Sequence, residues 1–448
     1  MSQLQRLRFK HYLSFGLGDY AFNLFFQGTT LFLLFFYTDI LGIKAATAGA
    51  IFLVATIWDA ITDPVMGYLA GKTRSRWGRY RPYLLIMPIP LGVTYMLMFY
   101  QPNLSGTTLI IWAAALQILF RTAFTLGNIP YSSLSSEMTF NPNERSQLAA
   151  YRMFLGYGGA LTVSYLTGKF MAAMNWTPAA NGYFKVGLVF AILGVILFYI
   201  TFRNTFELPH TASKSTIRPR AIWQMISANR PFITLCLMVM LGMAAVVLFY
   251  QALSYYFKYN LNQGAALGSG MLCLFTFLML SLPGWFQLSK RIGKRDTLIA
   301  GCLVLLVGSL TFYLNPLAKT NIYWVYAHMS LIGTGIGCSA FSFWGMLPDT
   351  VEYGEWKSGV RAEAVIFGLG LFFLKIGLGL GSFVLGIGLD LMGYQPNQAQ
   401  TVTTLSGIHA LTTLGVAIPF LGILLLMLTY TLTIEKYNLI LSELKLNS

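Results

Sequence analysis

Long apolar runs separated by short polar clusters fill this chain from end to end. Segments such as Leu405–Thr431 and Ile51–Ala70 match the ~20 apolar residues that one membrane-spanning helix needs. They lack the strict alternation of a membrane barrel. In hydrocarbon the backbone must satisfy itself, so unbroken runs of this length predict helices. Twelve spans are predicted, near 13–37, 48–70, 83–100, 108–131, 153–172, 184–202, 232–257, 267–288, 298–314, 322–346, 364–390 and 406–432. The longest connection, about 203–231, holds Pro209, Ser213, Ser215 and Pro219 and reads as a linker. The expected architecture is all-α. A six-helix bundle spans 1–202, a cytoplasmic linker 203–231, a second six-helix bundle 232–432 and a cytoplasmic tail 433–448.

Composition agrees. Of the 448 residues, 56% are hydrophobic and only 10% charged, against about a quarter charged in soluble domains. The formal net charge of +15 invites a nucleic-acid reading, and the placement of the charges rejects it. With the N-terminus and every second loop assigned to one side, 23 of the 30 basic residues fall there, Arg76, Arg79, Arg145, Arg152, Arg291 and Arg361 among them. That bias predicts both termini in the cytoplasm, and the protein is expected in the cell inner membrane. The first span carries Asp19 and is too long for a cleavable leader. Cys236, Cys273, Cys302 and Cys338 sit in apolar spans without metal-site spacing, so they read as small buried hydrophobes.

Two loops echo each other. Arg76-Trp77-Gly78-Arg79-Tyr80-Arg81 and Arg291-Ile292-Gly293-Lys294-Arg295 place their glycines 215 positions apart. Glu137 precedes Glu352 by the same 215, and Arg145 precedes Arg361 by 216. A duplicated six-helix unit follows, as in transporters built from repeats. Glycine allows a tight turn, and the basic residues can reach carboxylates or helix C-termini on a neighbour. These residues, together with Arg152, are read as a gate lock. Simple topology determinants would also be basic.

Ionisable groups inside spans are few, costly and usually functional. Asp59 and Asp63 are four apart and share one helix face, with Thr62 beside them and Thr125 able to project from the fourth span. Such a pair either shares a proton or offers oxygens to a hard cation such as sodium. A structural ion pair with Arg121 or Lys375 is the plainer alternative. Arg121, Thr125 and Asn128 form a polar stripe that must face a cavity or a polar neighbour. It ends at Pro130, which is expected to end or kink the helix. Hydrogen-bonding groups and aromatic faces suit a sugar. Asp19, Tyr20, Asn23, Arg121, Asn128 and Lys375 are candidates for the first, and Tyr20, Phe26, Trp58, Tyr131 and Trp344 for the second. Aromatics are abundant, and each singly is more often packing.

At these residues the sequence resembles the glycoside–pentoside–hexuronide:cation symporters of the major facilitator superfamily. The resemblance covers nearly the whole chain. It rests on Gly18-Asp19, Phe36-Tyr37-Thr38-Asp39, Trp58-Asp59-Ala60-Ile61-Thr62-Asp63-Pro64, Thr73-Arg74-Ser75-Arg76-Trp77-Gly78, Asn128-Ile129-Pro130-Tyr131, Asp349-Thr350-Val351-Glu352-Tyr353-Gly354-Glu355-Trp356 and Lys375. It implies two pseudo-symmetric six-helix bundles and sugar uptake by alternating access, driven by sodium or protons, with no other cofactor. It implies that Asp19 contacts the sugar, that Asp59 and Asp63 bind the cation, and that Thr125 assists. Lys375 matches an eleventh-span lysine, and Arg152 matches a fifth-span arginine with a one-residue offset. The melibiose branch has Asn where Thr62 stands, Asp at Asn128, Trp at Ser132 and Tyr at Phe26. Loss of a carboxylate at Asn128 and gain of Arg121 raise an anionic sugar such as a hexuronide as a substrate. A functional monomer is expected. A lipid or lysolipid carrier, or a non-transporting sensor on the same fold, are the competing readings. An enzyme is not expected, since His11, His210, His328 and His409 lie far apart and no nucleophile–base–acid set appears.

Overall fold

The computed structural model describes residues 7–139, 141–173, 180–208, 225–316, 321–359 and 363–446. Among the described residues there is no strand. The chain divides into two compact units, one formed by Met1–Ala212 with Ala265–Ser269, the other by Ser213–Gly264 with Gly270–Ser448.

The first unit holds α1 (Phe9–Gly28), α2 (Ala45–Lys72), α3 (Arg81–Ile86), α4 (Pro88–Met98), α5 (Gly106–Met138), α6 (Pro142–Ala173) and α7 (Ala180–Asn204). The second holds α8 (Arg230–Tyr255), α9 (Leu267–Ile292), α10 (Lys294–Leu314), α11 (Ile322–Ser358), α12 (Glu363–Leu391), α13 (Val402–Leu428) and α14 (Ile434–Leu446). Nine helices among the described residues are long and apolar enough to cross a membrane. The other three expected spans are α1, the α3–α4 pair and α6. They fall short because they carry polar residues or a break. Pro88 has no N–H to donate, and the third span divides there. The first span continues past α1 through two π-type turns, Thr29–Leu33 and Phe36–Ile40, and so ends later than expected.

Two expectations need correction. Of the two outcomes expected at Pro130, an end to the helix is excluded, because α5 runs through it to Met138. Likewise α11 passes Pro348 and carries Glu352. In both, the helix continues to pack beyond the proline, and packing outweighs one lost backbone bond. Arg145 and Arg152 lie within α6 rather than in the preceding loop, since α6 begins well ahead of the expected span, at Pro142. Its first turns are polar and escape a hydropathy pattern.

The same pairings recur in both units. In the first, α1 packs on α6 and α7, and α4 packs on α5 and α7. In the second, α8 packs on α12 and α13, and α10 packs on α11 and α13. Each of these second-unit helices corresponds by order to its counterpart six spans earlier. The repeat read from two glycines is therefore a repeat of packing. The first unit's core is aromatic. Phe22 meets Phe198 at 4.5 Å and Phe124 at 5.3 Å, edge to face, and Phe15 stacks on Tyr131 at 4.7 Å. His328 stacks on Phe312 at 5.2 Å and His409 packs beside Tyr256, within an aromatic cluster of the second unit. Cys236, Cys302 and Cys338 are buried and unpaired as disulfides, and Cys273 is partly buried.

Candidate functional site

The polar interior of the first unit gathers in two places. The first lies between α1 and α6. Arg152 donates from Nε to Asp19 Oδ1 at 2.8 Å. Asn23, one turn on, donates to Asp19 Oδ2 at 3.2 Å. The Tyr20 hydroxyl meets Thr162 Oγ1 at 2.6 Å. Room for this cluster comes from Gly156, where a Cβ would collide with the Asp19 carboxylate and stand 3.0 Å from Asn23 Nδ2. The side chains of Asp19 and Arg152 are 14% and 31% exposed, so the pair is not fully enclosed. Tyr131 lies beneath it. Its hydroxyl donates to the Phe15 carbonyl at 2.5 Å, its ring carries the Arg152 guanidinium at 5.3 Å, and it has no exposed surface. That placement makes Tyr131 a floor under Arg152 rather than a face for a sugar.

The second place lies between α2 and α5. Thr125 Oγ1 stands 2.5 Å from Asp59 Oδ1 and 2.9 Å from Asp63 Oδ1. The shared face that spacing predicts for Asp59 and Asp63 is thus turned toward one hydroxyl. Arg121 Nη1 lies 3.7 Å from Asp59 Oδ2, with both side chains almost fully enclosed. Thr62 donates its hydroxyl back to the Trp58 and Asp59 carbonyls at 3.0 and 3.2 Å, which leaves its oxygen lone pairs to accept. Trp58 Nε1 donates to Thr122 Oγ1 at 2.9 Å and braces the same two helices. Asn128 is partly exposed on the α5 stripe. Among the described residues no group of His, Cys, Asp and Glu has the arrangement of a transition-metal site.

Trp344 and Lys375 belong to the second unit. Trp344 is 47% exposed on α11 and packs edge-on against Phe343 at 5.1 Å. Lys375 is partly buried on α12.

The loops read as a gate lock join helices of their own unit. Gly78 has φ +107°, a conformation open to glycine, and the turn it makes aims three successive amides at one carboxylate. Glu207 accepts from the backbone N–H of Arg79 at 2.7 Å, Tyr80 at 2.8 Å and Arg81 at 3.0 Å. The negative charge so placed also complements the N-terminus of α3. Arg81 Nη2 donates to the Phe202 carbonyl at the end of α7 at 2.8 Å. The Leu208 backbone N–H donates to the Glu137 carbonyl at 2.9 Å. Arg76 is exposed, with its guanidinium 4.2 Å over the Trp77 ring. Arg145 Nε donates to the Thr139 carbonyl at 3.0 Å.

The second unit repeats the device with other partners. Gly293 has φ +87°. Lys294 Nζ contacts Asp349 at 2.6 and 2.8 Å and the Gly345 carbonyl at 2.8 Å. Arg295 donates to the Met427 and Leu428 carbonyls at 3.0 and 3.1 Å, at the end of α13. Arg81 and Arg295 therefore cap the sixth spanning helix of their respective units. Glu352 accepts from the Tyr437 hydroxyl on α14, and Trp356 Nε1 donates to Glu443 at 2.6 Å. Burial and the bond to Glu352 push the Tyr437 phenol above its ordinary range, so it stays a donor. Arg291 is exposed at the end of α9, and Arg361 lies outside the described residues.

Sequence reasoning missed Glu207, Gly156, Thr122 and Gln117. Only Gln117 has a local signal, since it stands one turn before Arg121 on the same stripe.

A family model described as MFS/sugar transport protein matches residues 14–434. An isoprimeverose transporter of Lactiplantibacillus pentosus is 34% identical over 400 residues, covering 88% of this chain and 83% of that protein. A putative glycoside/cation symporter of Escherichia coli (strain K12) is 29% identical over 440 residues, covering 96% and 93%. A glucuronide carrier protein homolog of the same organism is 30% identical over 458 residues, covering 98% and 96%.

Proposed function

The chain belongs to the MFS/sugar transport protein family and is a multi-pass membrane transporter that carries a sugar together with a cation, and we propose that its ion site and its sugar site both draw on the first unit. Asp59 and Asp63 hold the coupling cation, with Thr125 between them. Asp19 and Arg152 receive sugar hydroxyls, the carboxylate as acceptor and the guanidinium as donor, with Tyr20 and Asn23 at the edge.

One observation carries the ion assignment, namely a single Thr125 hydroxyl within hydrogen-bond distance of two carboxylates. That hydroxyl has one proton and cannot make a full hydrogen bond to both of them at once. The second contact becomes a hydrogen bond when a carboxyl proton is donated back to Thr125. This favours the proton as coupling ion over sodium. The hydroxyl oxygen of Thr62 is also a weaker sodium ligand than an amide carbonyl.

Both arginines of this interior stand beside carboxylates, Arg121 at Asp59 and Arg152 at Asp19. That pairing favours a neutral glycoside over an anionic sugar. The likeness to a glucuronide carrier homolog keeps uronides in the test panel. The protein works as a monomer in the inner membrane, with both termini in the cytoplasm.

Transport follows two-state logic. The cation binds at Asp59 and Asp63, and the loaded form changes conformation with sugar bound. Coupling requires that both ligands favour the same transition. The test is uptake of a panel of radiolabelled glycosides into vesicles under an imposed proton or sodium gradient. Asp59→Asn and Asp63→Asn should each abolish gradient-driven accumulation while retaining exchange. Full accumulation by the double variant removes the assignment, and sodium stimulation insensitive to a protonophore reverses the choice of ion.

A further inference from the structure

Gln117 lies one helical turn before Arg121 on α5 and has no exposed surface. Neither its Oε1 nor its Nε2 has a hydrogen-bond partner, and Arg121 Nε is equally unpartnered. Leaving three buried polar atoms unsatisfied is costly, and such atoms usually have a reason. The Arg121–Asp59 contact is itself loose, because 3.7 Å is beyond hydrogen-bond length. Residues four apart on a helix have side chains within reach of each other. The guanidinium thus has two acceptors in range, the Asp59 carboxylate on α2 and the Gln117 carbonyl on its own helix.

We propose that Arg121 is a tethered counter-ion with two seats. It occupies Asp59 when the site holds no coupling ion, and it moves to Gln117 Oε1 when a monovalent cation takes its place. Gln117 is a positioning residue, acting on the ion through Arg121. The proposal rests on the reading of Asp59 and Asp63 as the ion site. It explains why an amide, with both a donor and an acceptor, is buried where an aliphatic side chain would pack more cheaply. It also makes ion binding an exchange of one positive charge for another. Asp59, which is buried, then keeps a positive partner whether or not the ion is bound.

The test needs no knowledge of the sugar. Trp58 is bonded to Thr122 and adjoins Asp59, so its fluorescence reports on the site. Purified protein in lipid nanodiscs is titrated with sodium chloride at fixed pH and, separately, with acid at fixed sodium, with Trp58→Phe identifying the signal. The ion that shifts the signal is the coupling ion. Gln117→Leu, which keeps size and removes the second seat, should weaken binding of that ion by about tenfold or more. Gln117→Glu, which strengthens the seat, should tighten it. Arg121→Gln should tighten it as well and erase any effect of changes at 117. Opposite signs from Leu and Glu, lost without Arg121, are not expected of a residue that only packs. Unchanged midpoints in the 117 variants, equal weakening by Leu and Glu, or effects that persist in Arg121→Gln overturn the proposal and leave the ion site standing. Wild-type protein that responds to neither ion overturns both.

Discussion

Replacing Glu207 by Gln should loosen the joint that Glu207 makes with the 78–81 turn of the first unit by an amount the geometry sets. The carboxylate accepts three backbone N–H groups, two on Oε1 and one on Oε2. A glutamine can keep its carbonyl toward Tyr80 and Arg81, but its amide then faces the Arg79 N–H, donor against donor. One charge-assisted bond is lost, the other two weaken, and the charge opposite the α3 N-terminus disappears. Bonds to charged groups contribute about 1.5–3 kcal/mol when well formed, and removal of a helix cap costs about 1 kcal/mol. Residues 78–81 are partly exposed, so water recovers some of the loss. A cost of about 2 kcal/mol follows. Gly78→Ala should damage the same joint by another route. Its Cβ would stand 2.5 Å from Glu207 Cδ, and its φ of +107° strains any side chain. The two changes break one latch, so the double variant should cost little more than the worse single. The assay is the rate of thermal inactivation in detergent, because unfolding of such proteins is usually irreversible. Wild-type stability in Glu207→Gln, or fully additive losses in the double variant, refutes the reasoning.

Two other outcomes are expected at the proposed sugar site. Arg152→Leu leaves the Asp19 carboxylate without its 2.8 Å partner and should lower sugar affinity about tenfold or more, measured by competitive uptake; unchanged affinity removes the pair from the site. Arg121→Gln should leave binding of neutral glycosides intact in the same assay, since Arg121 stands at Asp59, and selective loss of uronide binding would restore the anionic reading.

Much of the fold is legible in the sequence because a membrane forces it there. Span number and the basic bias follow from solvation, which acts on every residue locally. The stripe Arg121–Thr125–Asn128 and the pair Asp59–Asp63 are legible for the same reason, as polar groups in hydrocarbon need a common face. What escapes depends on distant partners. Nothing near Glu207 announces that its carboxylate will serve amides 126 to 128 residues earlier. By hydropathy Arg152 reads as a loop residue because the first turns of α6 are polar; the family resemblance matches it to a fifth-span arginine, and its bond to Asp19 across 133 residues places it in the interior. Tyr131 looks like a ligand face beside Asn128, yet Phe15 and Arg152 claim both its hydroxyl and its ring.

The repeat adds a further lesson about what duplication preserves. Both units keep a glycine turn after the second spanning helix and an arginine that caps the sixth. Their acidic partners differ in origin. In the first unit Glu207 comes from the chain beyond α7 and binds backbone amides. In the second, Asp349 comes from α11 and binds the Lys294 ammonium. A turn that must be held shut needs a negative charge nearby, and either source meets that need. The requirement common to both units is therefore one of geometry and charge rather than of residue identity. The sequence echo is short for that reason, although the packing it marks recurs through the helices of both units. The joint between the first and fifth spans of each unit has no such shared requirement. In the first unit α1 and α6 meet there through the charged pair Asp19–Arg152. In the second, α8 and α12 meet through the neutral pair Gln251–Ser382, joined at 3.0 Å. That joint in the second unit therefore forms without a charged pair. The charged pair of the first unit sits in the same unit as Asp59, Asp63 and Arg121, where the proposed ion and sugar sites both lie.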